Sequence, residues 1–333
     1  MKKLAFCLAF LLCLVPCLSG CPRRNTFAQT FFLMGTLITV TLYTEDGDRA
    51  TEIFDECEDL LSELDQLWSR HKDGSEVTDF NASKGEPISI DPRTKILIER
   101  ALEVSQRTDG AFDITVAPLT DLWKTCGERG SLPTAEELSS ALTSCGYEKL
   151  FWKDDQLCKA DLNVKIDLGG IGKGGAIGYL MDYLNTCDVT GGLVSFGSNV
   201  AVFGKKHDGE PFRIALRDPK DAARSVGTLL LPAGQILSVS GDYERFVTID
   251  GKNYHHILDP KTGYPTESGL SGVAVICEDG ALADALSTAL LCMGRESAMA
   301  FYESGVYDFE AVLISSEGEI TTTKGMDGIF VRN

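Results

Sequence analysis

Apolar residues return at three- and four-residue intervals between positions 50 and 68, where Ile53, Phe54, Cys57, Leu60, Leu61, Leu64, Leu67 and Trp68 form one stripe. That period predicts an amphipathic helix. The same reading predicts a helix from about Pro92 to Arg107, another after Pro133 with Glu136 and Glu137 in its first turn, and a last one over 280–303. Between them, FLMGTLITVTLYT (32–44) is rich in β-branched residues and reads as a strand. Residues 190–277 read as mostly β, with a hairpin turn at Asp250-Gly251, and the chain closes in short strands. Helices and strands alternate irregularly rather than as βαβ repeats, so the expected class is α+β, one domain of mixed sheets and helices over residues 31–333.

The N-terminus patterns differently. Lys2 and Lys3 precede an apolar run from Leu4 to Val15, too short to span a bilayer and suited to a signal peptide over residues 1–20. Leu18-Ser19-Gly20-Cys21 resembles a bacterial lipobox, which makes Cys21 the expected lipidation site and residues 21–30 a tether. Buried acyl chains then hold the protein to a membrane. No later segment is long and apolar enough to cross one. The formal charge is −18, and loss of Lys2 and Lys3 with the leader takes it to −20. Such an acidic surface repels nucleic acid. Beyond Cys21 remain Cys57, Cys126, Cys145, Cys158, Cys187, Cys277 and Cys292, an odd number without a C-x-x-C pair. This disfavours a disulfide framework and a structural zinc site.

Three stretches carry candidate chemistry. KIDLGGIGKGGAIG (165–178) contains Gly170-x-Gly172-x-x-Gly175 after a strand-like KIDL. The surrounding βαβ units of a Rossmann domain are missing, and Asp167 stands where a buried parallel strand should be apolar. Gly174 occupies the place of the P-loop Ser or Thr. What survives is a carboxylate, a glycine turn and a helix start, through which backbone can approach a phosphate or a metal. His255-His256 precedes the Asp259-Pro260 and Gly263-Tyr264-Pro265 turn residues; a histidine there suits a general base, a phosphate contact or a buried hydrogen-bonded ring, and the residues alone leave these open. Asp284 and Thr288, four apart, share a helical face among Ala and Leu. An unpaired buried Asp is costly, and a carboxylate with a hydroxyl suits Mg²⁺ better than a surface cap does.

Together these segments resemble the ApbE family of FAD:protein FMN transferases over nearly the whole mature chain. Met34-Gly35-Thr36 looks like its opening strand motif; SRHKDGSEVTDFN (69–81) resembles its S-x-Y…SE…N segment; Gly110 to Thr115 matches its G-A-F-D motif. DLGGIGKG, Ser240-Gly241-Asp242-Tyr243, His256-Ile257-Leu258-Asp259-Pro260-x-Thr262-Gly263 and the Ala283 to Thr288 run follow in the family's order. The resemblance implies an FAD site in a cleft of an α+β fold. Met34, Ala111, Phe112, Asp113, Asp167, Lys173, His256 and Leu258 would contact FAD. His71 stands at the family's tyrosine position, where an aromatic ring would stack on adenine. Mg²⁺ would be held by Asp284, Thr288 and the Gly170 carbonyl, with His256 and Asp284 as catalytic residues.

The implied reaction moves FMN from FAD to a threonine of another protein and releases AMP. The acceptor motif, D-G-x-[ST]-[ST]-G-A-[ST], is not found in this chain, so the acceptor, expected to be a redox subunit, comes in trans. The implied location is a bacterial membrane lipoprotein facing the periplasm, at the inner membrane. Two alternatives accompany this reading: an Mg²⁺-dependent FAD pyrophosphatase giving FMN and AMP, and a flavin-binding lipoprotein without chemistry.

Overall fold

The computed structural model describes residues 25–206 and 208–333. The expected signal peptide and the lipidation site Cys21 lie outside the described residues.

The chain enters at a hairpin of β1 (Thr26–Leu33) and β2 (Thr36–Tyr43), then passes through α1 (Gly47–Trp68), α2 (Glu76–Ala82), α3 (Pro92–Arg107), α4 (Ala117–Arg129) and α5 (Ala135–Thr143). A small hairpin, β3 (Leu150–Lys153) and β4 (Gln156–Lys159), precedes α6 (Gly172–Leu184). Then come β5 (Gly191–Ser195), β6 (Asn199–Gly204), β7 (Phe212–Asp218), β8 (Asp221–Leu231) and β9 (Ile236–Gly241). The hairpin β10 (Phe246–Ile249) and β11 (Lys252–His255) leads to β12 (Leu270–Cys277) and α7 (Gly280–Glu303). The chain ends in β13 (Glu310–Ser315), β14 (Ile320–Thr322) and β15 (Phe330–Arg332).

An eight-stranded sheet in the order β1-β2-β5-β6-β9-β12-β13-β14 organises the domain, and its pairings are all antiparallel. The parallel crossovers of a dinucleotide-binding Rossmann unit are therefore absent from this sheet. Its interior strand β12 is buried throughout. Val273, Val275 and Cys277 point into the large core shared with α1, α3, α6 and α7, while Ala274 and Ile276 point into a second core with β7 and β8. Covering both faces explains an unbroken apolar run in an antiparallel strand. Each fully buried aliphatic side chain contributes roughly 1.5–3 kcal/mol. A third core joins α4, α5 and the β10-β11 hairpin through Leu119, Trp123, Ile249 and Leu258.

The helices expected at 50–68, 92–107 and after Pro133 are α1, α3 and α5. The last carries a capping box between Thr134 and Glu137. Asp250 and Gly251, both at positive φ, make the expected hairpin turn. The β-branched run 32–44 is not one strand: Met34 (φ 52°) and Gly35 (φ 69°) turn it back, and residues 26–30, expected as tether, belong to β1. The expected helix 280–303 is broken at Gly294, where φ is 76° and ψ is 167°. KIDL is not a strand either; residues 164–168 carry no regular structure. Cys57, Cys126, Cys145, Cys158, Cys187, Cys277 and Cys292 are all free. Among the described residues no helix is long and apolar enough to cross a membrane.

Candidate active site

The N-terminal ends of α6 and α7 meet. A Cβ on Gly174 would lie 2.0 Å from the Gly280 carbonyl oxygen, so only hydrogen atoms separate the two backbones there. This approach brings Asp284, one turn into α7, against the first turn of α6. The Gly174 N–H donates to Asp284 Oδ2 at 2.9 Å. Asn199 Nδ2 and the Ser238 hydroxyl donate to Oδ1 at 2.9 and 3.0 Å. The first N–H groups of a helix lack intrahelical partners and favour negative charge, so Asp284 caps α6 from outside.

Asp284 is not the unpaired buried carboxylate that its apolar neighbours lead one to expect, because three donors already satisfy it. The surroundings still fit a cation. Oδ2 retains accepting capacity, since Lys173 Nζ stands 3.8 Å away, beyond hydrogen-bond range. The same ammonium contacts the Gly169 carbonyl at 3.2 Å, so a positive charge already sits among these oxygens. Thr288 lies one turn further along α7 and shares a hydrogen bond with Ser240 at 3.1 Å; Ser240 meets Ser287 at 2.8 Å. A Cβ on Gly170 would touch Phe112 at 3.1 Å and lie 3.9 Å from the Thr288 hydroxyl, which brings the Gly170 backbone beside that hydroxyl. Carboxylate and hydroxyl are both oxygen donors, the kind a hard divalent cation selects. Among the described residues no cluster of three or more His, Cys, Asp or Glu side chains exists for a metal. A cation here would have one carboxylate to rely on.

Of the other expected residues, Met34 and Asp167 border this centre. The Met34 side chain reaches Gly172 at the start of α6, and its N–H is fixed by Asp65 Oδ2 at 3.1 Å. Asp167 accepts from the Gly169 N–H at 2.8 Å and from Arg70 at 2.9 Å. Arg70 also bonds Asp121 at 2.5 Å, linking the glycine loop to α4. His71 is exposed, its N–H on the Ser69 hydroxyl at 3.2 Å. Ala111 is half-buried and donates to the Thr108 carbonyl.

Two expected contacts are occupied differently. The Asp113 carboxylate is buried, accepting from Thr115 N and Oγ1 at 2.7 Å and from Tyr147 N at 2.9 Å. Burial pushes its pKa up, against those hydrogen bonds. Its side chain therefore fixes the loop that presents Ala111 and Phe112. The Leu258 side chain is buried in the third core.

His256 follows β11. Its Nδ1 lies 3.2 Å from the Arg245 carbonyl, which can only accept, so Nδ1 carries the proton and Nε2 is the basic nitrogen. The residue is open to solvent at one side, yet the protein around the ring, then the charges of Arg245, His255 and Lys173, push its pKa down to about 4, against the bond to the Arg245 carbonyl. At neutral pH it is an uncharged base. The neighbouring Glu244 carboxyl is raised by desolvation, opposed by Lys173, Arg245 and Arg217.

Asn199 and Ser238 lie outside every motif named from the sequence, while Arg70, Ser240 and Ser287 lie within such motifs but carry no expected role. Their partners lie dozens of residues away, and no local spacing announces such bonds.

A carboxylate, hydroxyls, a lysine and a glycine turn gather where two helix starts meet, beside an antiparallel sheet, in a non-Rossmann α+β domain. The sequence matches the ApbE family over residues 34–313. It is 30% identical to the FAD:protein FMN transferase of Vibrio cholerae, covering 96% of each chain, and 31% identical to that of Salmonella typhimurium, covering 89% of each. Among crystal structures, the apo flavinyl transferase ApbE of Pseudomonas stutzeri superposes with a TM-score of 0.81 at 33% identity, over 92% of this chain and 97% of that one. The ApbE protein of Thermotoga maritima gives 0.83 at 31% identity, over 92% and 99%. The chain belongs to the ApbE family.

Proposed function

We propose that this protein transfers the FMN moiety of FAD to a threonine of an acceptor protein and releases AMP. The observation that carries the reading is the convergence of Asp284, Thr288 and the Gly170 backbone beside Lys173, in a chain whose relatives are FAD:protein FMN transferases. Asp284, Thr288 and the Gly170 carbonyl would hold Mg²⁺. When bound, the ion neutralises pyrophosphate charge and orients the leaving group.

The chain's own groups divide the remaining work. Asn199, Ser238 and the Gly174 N–H hold the Asp284 carboxylate in one orientation, as partners behind a ligand commonly do. Lys173 supplies a positive charge beside the pyrophosphate. Met34, Ala111, Phe112 and Asp167 line the approach to the flavin nucleotide. The acceptor threonine oxygen forms a bond to the FMN-side phosphorus, the bond from that phosphorus to the bridging oxygen breaks, and its electron pair leaves with AMP. Neutral His256 takes the threonine proton at Nε2.

His71 favours a second reading alongside the first. An imidazole at the family's tyrosine position offers a smaller surface to adenine, and looser adenine holding admits water in place of threonine, giving FMN and AMP. Lipidation at Cys21, attachment to the periplasmic face of the inner membrane and an acceptor with a D-G-x-[ST]-[ST]-G-A-[ST] motif complete the proposal. Cys21→Ser then moves the protein to the soluble fraction. Incubation with FAD and Mg²⁺, with and without an acceptor peptide, separates the activities: AMP with flavin on the peptide indicates transfer, AMP and free FMN without peptide indicates hydrolysis, and intact FAD refutes both.

A further inference from the structure

The segment that delivers the glycine loop is held by side chains instead of a sheet ladder. Asn81, near the end of α2, accepts the Ile166 N–H at Oδ1 (2.7 Å) and donates from Nδ2 to the Ile166 carbonyl (2.9 Å). One amide thus replaces a neighbouring strand for one residue, pairing both backbone groups as a ladder would. Asp167, the next residue, donates its N–H to the Ile114 carbonyl at 2.7 Å, in the turn that follows Phe112 and Asp113. Lys159 completes the arrangement: its buried ammonium bonds the Phe80 and Val164 carbonyls at 3.1 and 3.2 Å and lies 5.0 Å from the Phe80 ring. Residues 164–168 are therefore anchored to α2 and β4 immediately before Asp167, Gly170, Lys173 and Gly174.

We propose that Asn81 is a positioning residue for flavin transfer: its amide clamp on Ile166 sets where the Gly169-Gly170 loop and the start of α6 stand relative to Asp284 and Thr288. It touches none of the proposed ligands and acts through the loop. Residues 166–170 have no ladder of their own, so loss of the clamp frees Ile166 while the sheet and α7 stay in place. A displacement on the order of 1 Å at reacting groups costs roughly 100-fold in rate. The kinetic consequence rests on the flavin-transfer reading; the structural consequence does not.

The test compares wild type, Asn81→Ala, the space-filling Asn81→Leu and the control Ser83→Ala, which removes a different α2 hydrogen bond, from Ser83 to the Phe80 carbonyl. Amide hydrogen exchange of a peptide covering 164–174 and the steady-state kinetics of AMP release from FAD are measured, with FAD affinity by titration. The clamp predicts exchange at least about tenfold faster over 164–174 in both Asn81 variants, with β12 and α7 protected as in wild type. It predicts a kcat lowered roughly 10- to 100-fold with a far smaller change in FAD affinity, and no such effects in Ser83→Ala. Unchanged exchange over 164–174, recovery of kcat in Asn81→Leu, or loss of protection across the whole domain would overturn it. A wild type silent toward FAD refutes the transfer reading instead, and the exchange comparison then decides the clamp alone.

Discussion

Asp284 on α7 accepts the backbone N–H of Gly174 on α6 at 2.9 Å, and the α-carbon of Gly174 is close enough to Gly280 that no side chain fits between them. One carboxylate therefore serves the proposed metal site and closes the first turn of a neighbouring helix. Function and helix packing meet in the same atoms.

Asp284→Ala should abolish Mg²⁺-dependent turnover, because it deletes the only carboxylate in the proposed donor set. It should also lower stability by about 2–4 kcal/mol, since Asn199, Ser238 and the Gly174 N–H lose a buried acceptor together. Chemical denaturation and AMP release with and without EDTA check both parts. Turnover that persists in the mutant, or in EDTA, refutes the metal assignment.

Two glycines of α6 should respond in opposite directions. Gly174→Ala forces its methyl to within 2.0 Å of the Gly280 carbonyl and 2.7 Å of Asp284 Cβ, so the helices must separate, at a cost of about 2 kcal/mol or more. Gly178→Ala meets nothing within 4 Å and should stabilise by about 0.5–1 kcal/mol through helix propensity. Thermal unfolding of the two variants side by side gives the signs. Equal shifts would contradict the close helix contact.

Much of this arrangement was legible in the sequence, and the reasons for the rest are physical. Helices α1 and α3 declare themselves because each lays a long apolar stripe on the core, and Asp284 and Thr288 share a face by helical spacing alone. Helix α2 hides: seven residues, two of them buried, leave little period to read, and its start depends on the Ser75 side-chain cap. Strand β1 hides because the chain reverses at a Met-Gly pair instead of an Asn-Gly or Asp-Gly signal. KIDL looks like a strand because charged Lys165 and Asp167 alternate with apolar Ile166 and Leu168, yet at Ile166 Asn81 supplies the hydrogen bonds that a partner strand would have given. The site's supporting partners, Asn199 and Ser238, arrive by sheet pairing over dozens of residues.

The depressed pKa of His256 sets a pH dependence of definite sign. An unfolded chain takes up a proton on this residue below about pH 6.5, while the folded protein resists until about 4. The unfolded state therefore binds more protons between these values, and stability contributed above pH 6.5 is lost as pH falls toward 4. His256→Gln should flatten that part of the stability profile. As the proton acceptor, His256 should place the acid limb of kcat/KM near pH 4. A limb near 6.5 that disappears in His256→Gln would refute the low value.

His71→Tyr should lower hydrolysis relative to transfer, because the larger ring covers adenine and leaves less room for water. AMP release with and without acceptor, compared for both proteins, reads the ratio. An unchanged ratio means that position 71 does not control the partition.

The central claim is covalent flavin transfer to a threonine, and intact-mass spectrometry of the acceptor after incubation with FAD and Mg²⁺ tests it most directly. The account predicts an acceptor heavier by FMN less one water, fragments that place the addition on the motif threonine, and one AMP released per flavin attached. An acceptor of unchanged mass beside free FMN and AMP, or beside intact FAD, would contradict it.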